Sequence, residues 1–218
     1  MGKGRIIMDA KKQAYEALAN TIIKKFEPRG MEGYYCQDKE EALKKVVSLM
    51  KKGSSITWGG SETMKEIGIF EAVSNGDYIL YDRSTAKTKE EEREFFAKAV
   101  TADYFLMSSN AITHDGQLVN IDGKGNRVAC LIYGPQNVIV VAGMNKVVKD
   151  VEEGIVRARN VAAPPNAFRL NCDTGCHEYG KCVNCLKDDC MCCQVVVTRK
   201  SRVKNRIKVI LVGEELGY

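Results

Sequence analysis

The feature that most limits the folds open to this chain is the alternation of short apolar runs with stretches of helical period. Ser55–Trp58 reads as a strand, and Gly59-Gly60-Ser61-Glu62-Thr63 then opens a helical stretch to Ile67. Tyr78–Tyr81 reads as a strand, Lys89–Val100 as a helix with Phe95, Phe96 and Val100 inward, and Tyr104–Met107 as a strand. Strands joined through helices pair in parallel, because the crossover returns the chain to the same end of the sheet. The expectation is an α/β fold with a mostly parallel sheet flanked by helices.

The flanks extend this reading. Residues 9–26 carry Ala10, Ala14, Leu18, Ile22 and Phe26 at every fourth position, with Asp9 as a cap. Residues 39–52 form a second helix: Asp38 and Glu41 make a capping-box pattern, Val46, Val47 and Met50 the apolar face, and Gly53 the stop. Ala111–Thr113, Gln117–Ile121 and Val128–Tyr133 read as short strands around glycine turns, a hairpin excursion. Asn137–Ala142 is a strongly apolar strand, and Lys146–Ala163 a helix ended by Pro164-Pro165. Two last strands, Gln194–Thr198 and Arg206–Val212, follow. Residues 9–218 are thus read as one α/β domain, with residues 1–8 an appended remnant or flexible N-terminus that resembles no signal peptide.

With 218 residues, 44% of them apolar, the chain can fold without covalent staples. That matters for its cysteines. Seven of nine fall between Cys172 and Cys193, in a segment between the last helix and a returning strand. Neither an export signal nor a membrane-length apolar run is found in the sequence, so the expected compartment is the cytoplasm, where thiols stay reduced. A disulfide scaffold is disfavoured and a metal site favoured. Zinc prefers two Cys-x-x-Cys knuckles, and only Cys182-Val183-Asn184-Cys185 has that spacing. An iron–sulfur cluster, most simply 4Fe-4S, takes a looser set of thiolates. Cys182 and Cys185 are the best candidates, Cys176 the nearest preceding one, and the fourth is Cys190, Cys192 or Cys193. Gly175 and Gly180 let the backbone turn toward sulfur, and Lys181 offsets thiolate charge. Zinc remains the alternative.

The net charge of +5 is concentrated late. Six basic and two acidic residues lie from Arg199 onward, with basic residues at every even position from 200 to 208. This reads as the solvated face of an edge strand. The run lacks interleaved aromatics, so nucleic acid is not the expected partner.

Two polar segments are candidate small-molecule sites. Gly59, Gly60, Ser61 and Thr63, between a strand and a helix, suit an anion. They match neither a Walker loop nor a dinucleotide fingerprint. The second segment, Ser109 to Arg127, contains two Asp-Gly turns together with Asn120, Gly123, Asn126 and Arg127. Arg127 is the candidate carboxylate or phosphate clamp, Asp115 and Asp122 the candidate general bases, and His114 a further acid or base.

On these residues the chain resembles the LUD family, named for lactate-utilisation proteins. The likeness rests on Trp58-Gly59-Gly60-Ser61-Glu62-Thr63 with Glu66-x-Gly68-Ile69, and on Ala102-Asp103-Tyr104 leading into Ser109-Asn110-Ala111-Ile112-Thr113. It continues through Val119-Asn120-Ile121-Asp122-Gly123-x-Gly125-Asn126-Arg127-Val128, Tyr133-Gly134-Pro135 and Val140-x-Ala142-Gly143-x-Asn145-Lys146. The resemblance implies a fold similar to the sugar-phosphate isomerase, deaminase and CoA-transferase superfamily. There, glycine- and hydroxyl-rich loops bind anions, which here points to Gly59, Gly60, Ser61 and Thr63 facing Asp122, Gly123, Asn126 and Arg127.

The resemblance also implies a tail of the form Cys-x5-Cys-x2-Cys-x6-Cys, which selects Cys176, Cys182, Cys185 and Cys192. The Ser-Pro-rich stretch usual after the third cysteine is replaced by Leu186-Lys187-Asp188-Asp189-Cys190, and Cys172, Cys190 and Cys193 are extra. The implied function is a redox role in oxidising a small organic acid such as lactate, with electrons passing through the cluster to a partner protein. A stand-alone enzyme acting on an anionic sugar phosphate or carboxylate, with a structural metal, is the alternative, and a metal-bound binding or regulatory protein a third. A homo-oligomer is compatible with each.

Overall fold

In the computed structural model, residues 9–218 are described. The expectation for residues 1–8 falls outside them. Helix α1 (Ala10–Phe26) starts where the Asp9 carboxylate accepts from the Lys11 amide, and buries Ala19, Ile22 and Phe26. Strand β1 (Glu32–Cys36) follows. The sequence reading missed it, because glycine and glutamate weaken its strand signal and its partner lies at the far end of the chain. Helix α2 (Lys39–Leu49) is capped by Asp38 and ends before the expected Lys52. Strand β2 (Ser55–Trp58) leads into the short α3 (Glu62–Glu66), followed by a second unexpected element, α4 (Ile69–Ser74), after Gly68 in the left-handed region at φ 75°. Then come β3 (Ile79–Tyr81), α5 (Lys89–Thr101), β4 (Tyr104–Met107), β5 (Ala111–Thr113) and β6 (Leu118–Asp122). On α5, Phe95 and Phe96 are half-buried as expected of an inward face, while Val100 turns outward and Ala99 is the buried residue.

Two corrections concern the next region. Val128–Tyr133, read as a strand, is helix α6 (Asn126–Ile132). Gly125 sits at φ 83° and starts it, and Val128 and Leu131 are buried three residues apart, a helical spacing that the run of apolar letters conceals. After β7 (Asn137–Gly143) and the two-residue β8 (Val147–Val148), the expected helix starts only at α7 (Val151–Arg157). It does not stop at Pro164-Pro165. It widens over Ala158–Ala162, where the Ala163 amide bonds back to the Ala158 carbonyl, and continues as α8 (Ala163–Leu170). The prolines lack the amides that would reach four residues back, and the π-type widening absorbs the loss. The chain closes with α9 (Gly175–Tyr179), β9 (Gln194–Thr198) and β10 (Ile207–Val212).

The main sheet is six-stranded and wholly parallel, in the order β1-β10-β7-β4-β2-β3. One core lies on each face: Phe26, Phe105, Val140 and Leu211 on one, Ile56, Leu106, Val141 and Ile210 on the other. A smaller sheet, β8-β5-β6-β9, contains the expected hairpin. The late basic run is not the face of an edge strand. Most of it is loop, and β10 lies between β1 and β7. Arg206 donates to the carbonyls of Pro135, Leu131 and Cys130, and Lys208 to Asn137 and Asn205.

Chain order reverses direction at β2 and β4. From β2 the chain moves outward to β3, and from β4 it moves the other way to β7. Parallel sheets open a crevice at the carboxyl ends of such strands.

Candidate functional site

That crevice is a cleft of about 340 Å³. Its floor comes from the carboxyl ends of three neighbouring strands: Thr57 to Thr63 after β2, Ser108 to Asn110 after β4, and Lys146 after β7. A polar wall carries Asp122, Gly123, Asn126 and Arg127. An apolar wall carries Phe95, Phe96, Phe105 and Leu170, and Arg83 and Arg169 also reach the cleft. The expected anion residues Gly59, Gly60, Ser61, Thr63, Gly123, Asn126 and Arg127 therefore do converge, and Asn120 stands behind them holding Arg127.

Their roles differ from the expectation. The Ser61 hydroxyl is engaged, accepting from the Met64 amide at 3.3 Å to cap the five-residue α3. Arg127 is not a free clamp. Its Nη1 donates to Asn120 Oδ1 (2.5 Å) and Ser108 O (3.3 Å), its Nη2 to Ile121 O (2.8 Å) and Asn110 Oδ1 (3.0 Å), and its Nε faces Asp122 Oδ2 at 3.6 Å. A guanidinium has five N–H groups, and all five are directed at protein. Arg127 thus ties the loop after β4 to strand β6 and lends the cleft charge rather than a ligand contact. Gly59 serves that arrangement, since a Cβ there would sit 3.2 Å from Arg127 Cδ.

Asp122 lines the cleft, but one carboxylate oxygen already accepts from the Val128 amide at 3.2 Å and faces Arg127. Asp115 lies outside the cleft. It pairs with Arg29 at 2.7 Å in the β5–β6 turn. Burial alone would raise its carboxyl, but hydrogen bonds from Thr113 and Gln117 and the Arg29 charge hold it below the usual range. That environment fastens a turn and brings Asp115 no substrate. His114 is exposed beside it.

The residue missed as a site residue is Lys146. It is 4% exposed, and its Nζ donates to Thr63 Oγ1 (2.8 Å) and Ser108 Oγ (3.0 Å). Burial, reinforced by the Arg157 and Arg127 charges and only partly opposed by Glu66, brings its pKa down to about 7. A signal was present: a lysine three residues past an apolar strand stands at the carboxyl edge of a parallel sheet. Above it Leu216–Tyr218 fold back, with Thr63 Oγ1 donating to Leu216 O and the Gly217 amide to Glu66. A second overlooked group is Thr57 Oγ1. It is buried in the cleft lining with no hydrogen-bond partner among the described residues.

The cysteine segment sits against this cleft. A small cavity of about 20 Å³ is lined by Cys176, Cys182, Cys185, Cys190 and Cys192. Four are the set that the family frame selects, while Cys172 and Cys193 do not line it. Backbone amides point at sulfur: Asn184 N to Cys182 Sγ and Cys192 N to Cys190 Sγ, both at 3.4 Å. The Gly175 amide, with further donors, lowers the Cys185 thiol, whereas burial among neighbouring thiols pushes Cys192 up to about 11. Among the described residues, no three His, Cys, Asp or Glu side chains stand close enough to hold a metal ion. A metal would therefore require these thiols to turn inward, which residues 180–193, free of helix and strand, allow. The donor type, the shared cavity and the amide donors fit a thiolate-bound centre.

The small-molecule cleft and the cysteine cavity are neighbours: Ala163, Met191 and Cys192 line both. The Cys193 amide donates to Asp122 O and fastens the cysteine segment to the cleft wall.

Comparison with known proteins bears on the fold. The family model described as LUD domain matches residues 19–212. A crystal structure of a DUF162 family protein from Deinococcus radiodurans is similar over 91% of this chain and 98% of its own, with a TM-score of 0.54 and 11% identity. A crystal structure of eIF2B delta from Chaetomium thermophilum overlaps 64% of this chain and 54% of its own at a TM-score of 0.34 and 16% identity, too distant to bear on the fold. No curated protein matches. Among the described residues, no helix is long and apolar enough to cross a membrane.

Proposed function

The chain belongs to the LUD domain family, and from that premise we propose that it binds a small organic acid, such as lactate or its oxidised form, in the cleft beside a cysteine-held iron–sulfur centre. The observation that carries this reading is the shared wall: Met191 and Cys192 line both the cleft and the thiol cavity. Three arginines, Arg83, Arg127 and Arg169, line the cleft against two carboxylates, Glu62 and Asp122, and Lys146 adds a further positive charge when protonated. That excess favours an anion. Phe95, Phe96 and Phe105 exclude water from one side and strengthen electrostatic attraction within. Lys146, able to exist as amine or ammonium near neutral pH, can hold the anion or take a proton from its hydroxyl. Cys176, Cys182, Cys185 and Cys192 would hold the centre, with Cys190 as the nearest substitute. When bound, an iron–sulfur cluster supplies one-electron transfer, which passes onward to a partner protein.

Anaerobic purification followed by iron, acid-labile sulfide and zinc analysis tests the metal half. Near-stoichiometric iron and sulfide are expected, and a colourless protein with one zinc would overturn it. Thermal shift tests the cleft half: lactate and pyruvate should raise the melting temperature by mass action. If only zinc is found but the shift persists, the second reading takes over, an enzyme acting on an anionic carboxylate or sugar phosphate with a structural metal. The preformed floor around Lys146 favours that reading, since it depends on no cysteine.

A further inference from the structure

We propose that Lys146 is a nucleophile that condenses reversibly with the carbonyl of a 2-oxo acid, making the cleft a carbonyl-capturing site. The inference rests on the reading of the cleft as a small-acid site and adds a covalent step to it.

The hydrogen-bond directions around Nζ carry the argument. The Thr63 hydroxyl hydrogen is given to Leu216 O at 3.2 Å, so Thr63 meets Lys146 with a lone pair and accepts its hydrogen at 2.8 Å. The Ser108 hydroxyl accepts a second hydrogen from Lys146 at 3.0 Å. Two N–H bonds are held in place. A neutral amine has two such bonds and one lone pair, so the lone pair is left directed away from the hydroxyls, and Lys146 lines the cleft. Lys146 is joined to hydroxyls rather than to a carboxylate that would hold its proton, and the charges facing it are Arg157, Arg127 and Glu66. Burial with two cations against one anion favours the amine, as in nucleophilic lysines generally.

The rest of the cleft fits the substrate class. A 2-oxo acid has a carboxylate for the cationic lining and a carbonyl for the amine. Thr57 Oγ1, buried in the same lining with no hydrogen-bond partner among the described residues, is a hydroxyl fit to donate to an oxygen of the acid. The step balances without a redox partner. The amine lone pair forms a C–N bond as the C=O π pair moves to oxygen, a proton passes from nitrogen to that oxygen, and a second proton lets it leave as water. Counted from the ammonium, Lys–NH₃⁺ and the ketone give a protonated imine and one water.

The test is reductive trapping. The whole protein is incubated with pyruvate and sodium borohydride near neutral pH. Hydride then adds to the former carbonyl carbon and fixes the C–N bond. Peptide mass mapping should find the reduced pyruvate adduct on Lys146, roughly a hundredfold above any solvent lysine, whose free-amine fraction is smaller by at least that factor. Lactate, which has no carbonyl, should suppress the adduct by competition, and Lys146→Arg should abolish it. Mapping of the unsubstituted protein decides the matter even if that variant fails to fold. A melting-temperature rise with pyruvate but no adduct on Lys146, or adducts only on surface lysines, overturns the covalent step and leaves the cleft reading standing. Neither a shift nor an adduct overturns both.

Discussion

The cleft and the cysteine segment touch, yet they are built in opposite ways. The cleft draws its residues from positions 57 to 218, across strand ends, the helices α3, α5, α6 and α8 and the chain's last turn, and cross-links them with buried hydrogen bonds before any ligand arrives. The cysteine segment is one contiguous run. From Gly180 to Cys193 it lacks helix and strand, and its thiols share a cavity of only about 20 Å³. The first region is preorganised by the fold, and the second is loop from Gly180 to Cys193. A ligand of the first therefore meets a rigid surface on one side and an adaptable one on the other.

The largest effect that would break this contrast belongs to the cysteines. Replacing Cys182 and Cys185 together by serine should remove nearly all bound iron, read as loss of visible absorbance. Metal-free stability should change by less than about 1 kcal/mol, because neither side chain belongs to a core. Cooperative unfolding of the sheet in that variant would show that the segment supports the fold.

Arg127→Ala comes next. It leaves Asp122, Asn120 and Asn110 without their arginine partner and should cost about 3–5 kcal/mol in urea unfolding. A loss under 1 kcal/mol would mean that the side chain is available to ligand rather than tied into the wall.

Lys146→Met should act in the other direction. The lysine's folded pKa, about 7, lies below its ordinary 10.5, so both states are protonated at low pH and burial of the charge carries its full cost there. Between about 7 and 10.5 the unfolded chain binds more protons than the folded one, and the cost fades as pH rises. The substitution should therefore stabilise by on the order of 3 kcal/mol at pH 6 and by little above pH 10, by denaturant midpoint. A pH-independent difference would contradict the assignment.

Asp115→Asn is the smallest. Its carboxylate is half-exposed, so about 0.5–1 kcal/mol of stability is expected to go, with the pyruvate thermal shift unchanged.

Much of this was legible in sequence, because the signals were local. Ser55–Trp58 and Tyr104–Met107 carry their strand character in their own residues, and the two glycine-rich polar loops, which line the cleft, stand out by composition. What stayed hidden depends on distant partners. Glu32–Cys36 is a strand because β10 lies beside it. Arg127 looks like a clamp until Asn110 and Asn120 arrive to occupy it. Lys146 looks like an ordinary lysine until Thr63, Ser108 and Leu216–Tyr218 bury it. The adjacency of the two sites was equally invisible. It rests on the Cys193 amide donating to Asp122 O and on β9 pairing with β6.

That adjacency is the central claim, and electron paramagnetic resonance on the anaerobically reduced, iron-loaded protein tests it most directly. Pyruvate titrated into the sample should shift the cluster signal with the same half-saturation as its thermal shift, because the acid binds against the wall that Met191 and Cys192 share. A signal unchanged while pyruvate saturates the cleft would contradict the account.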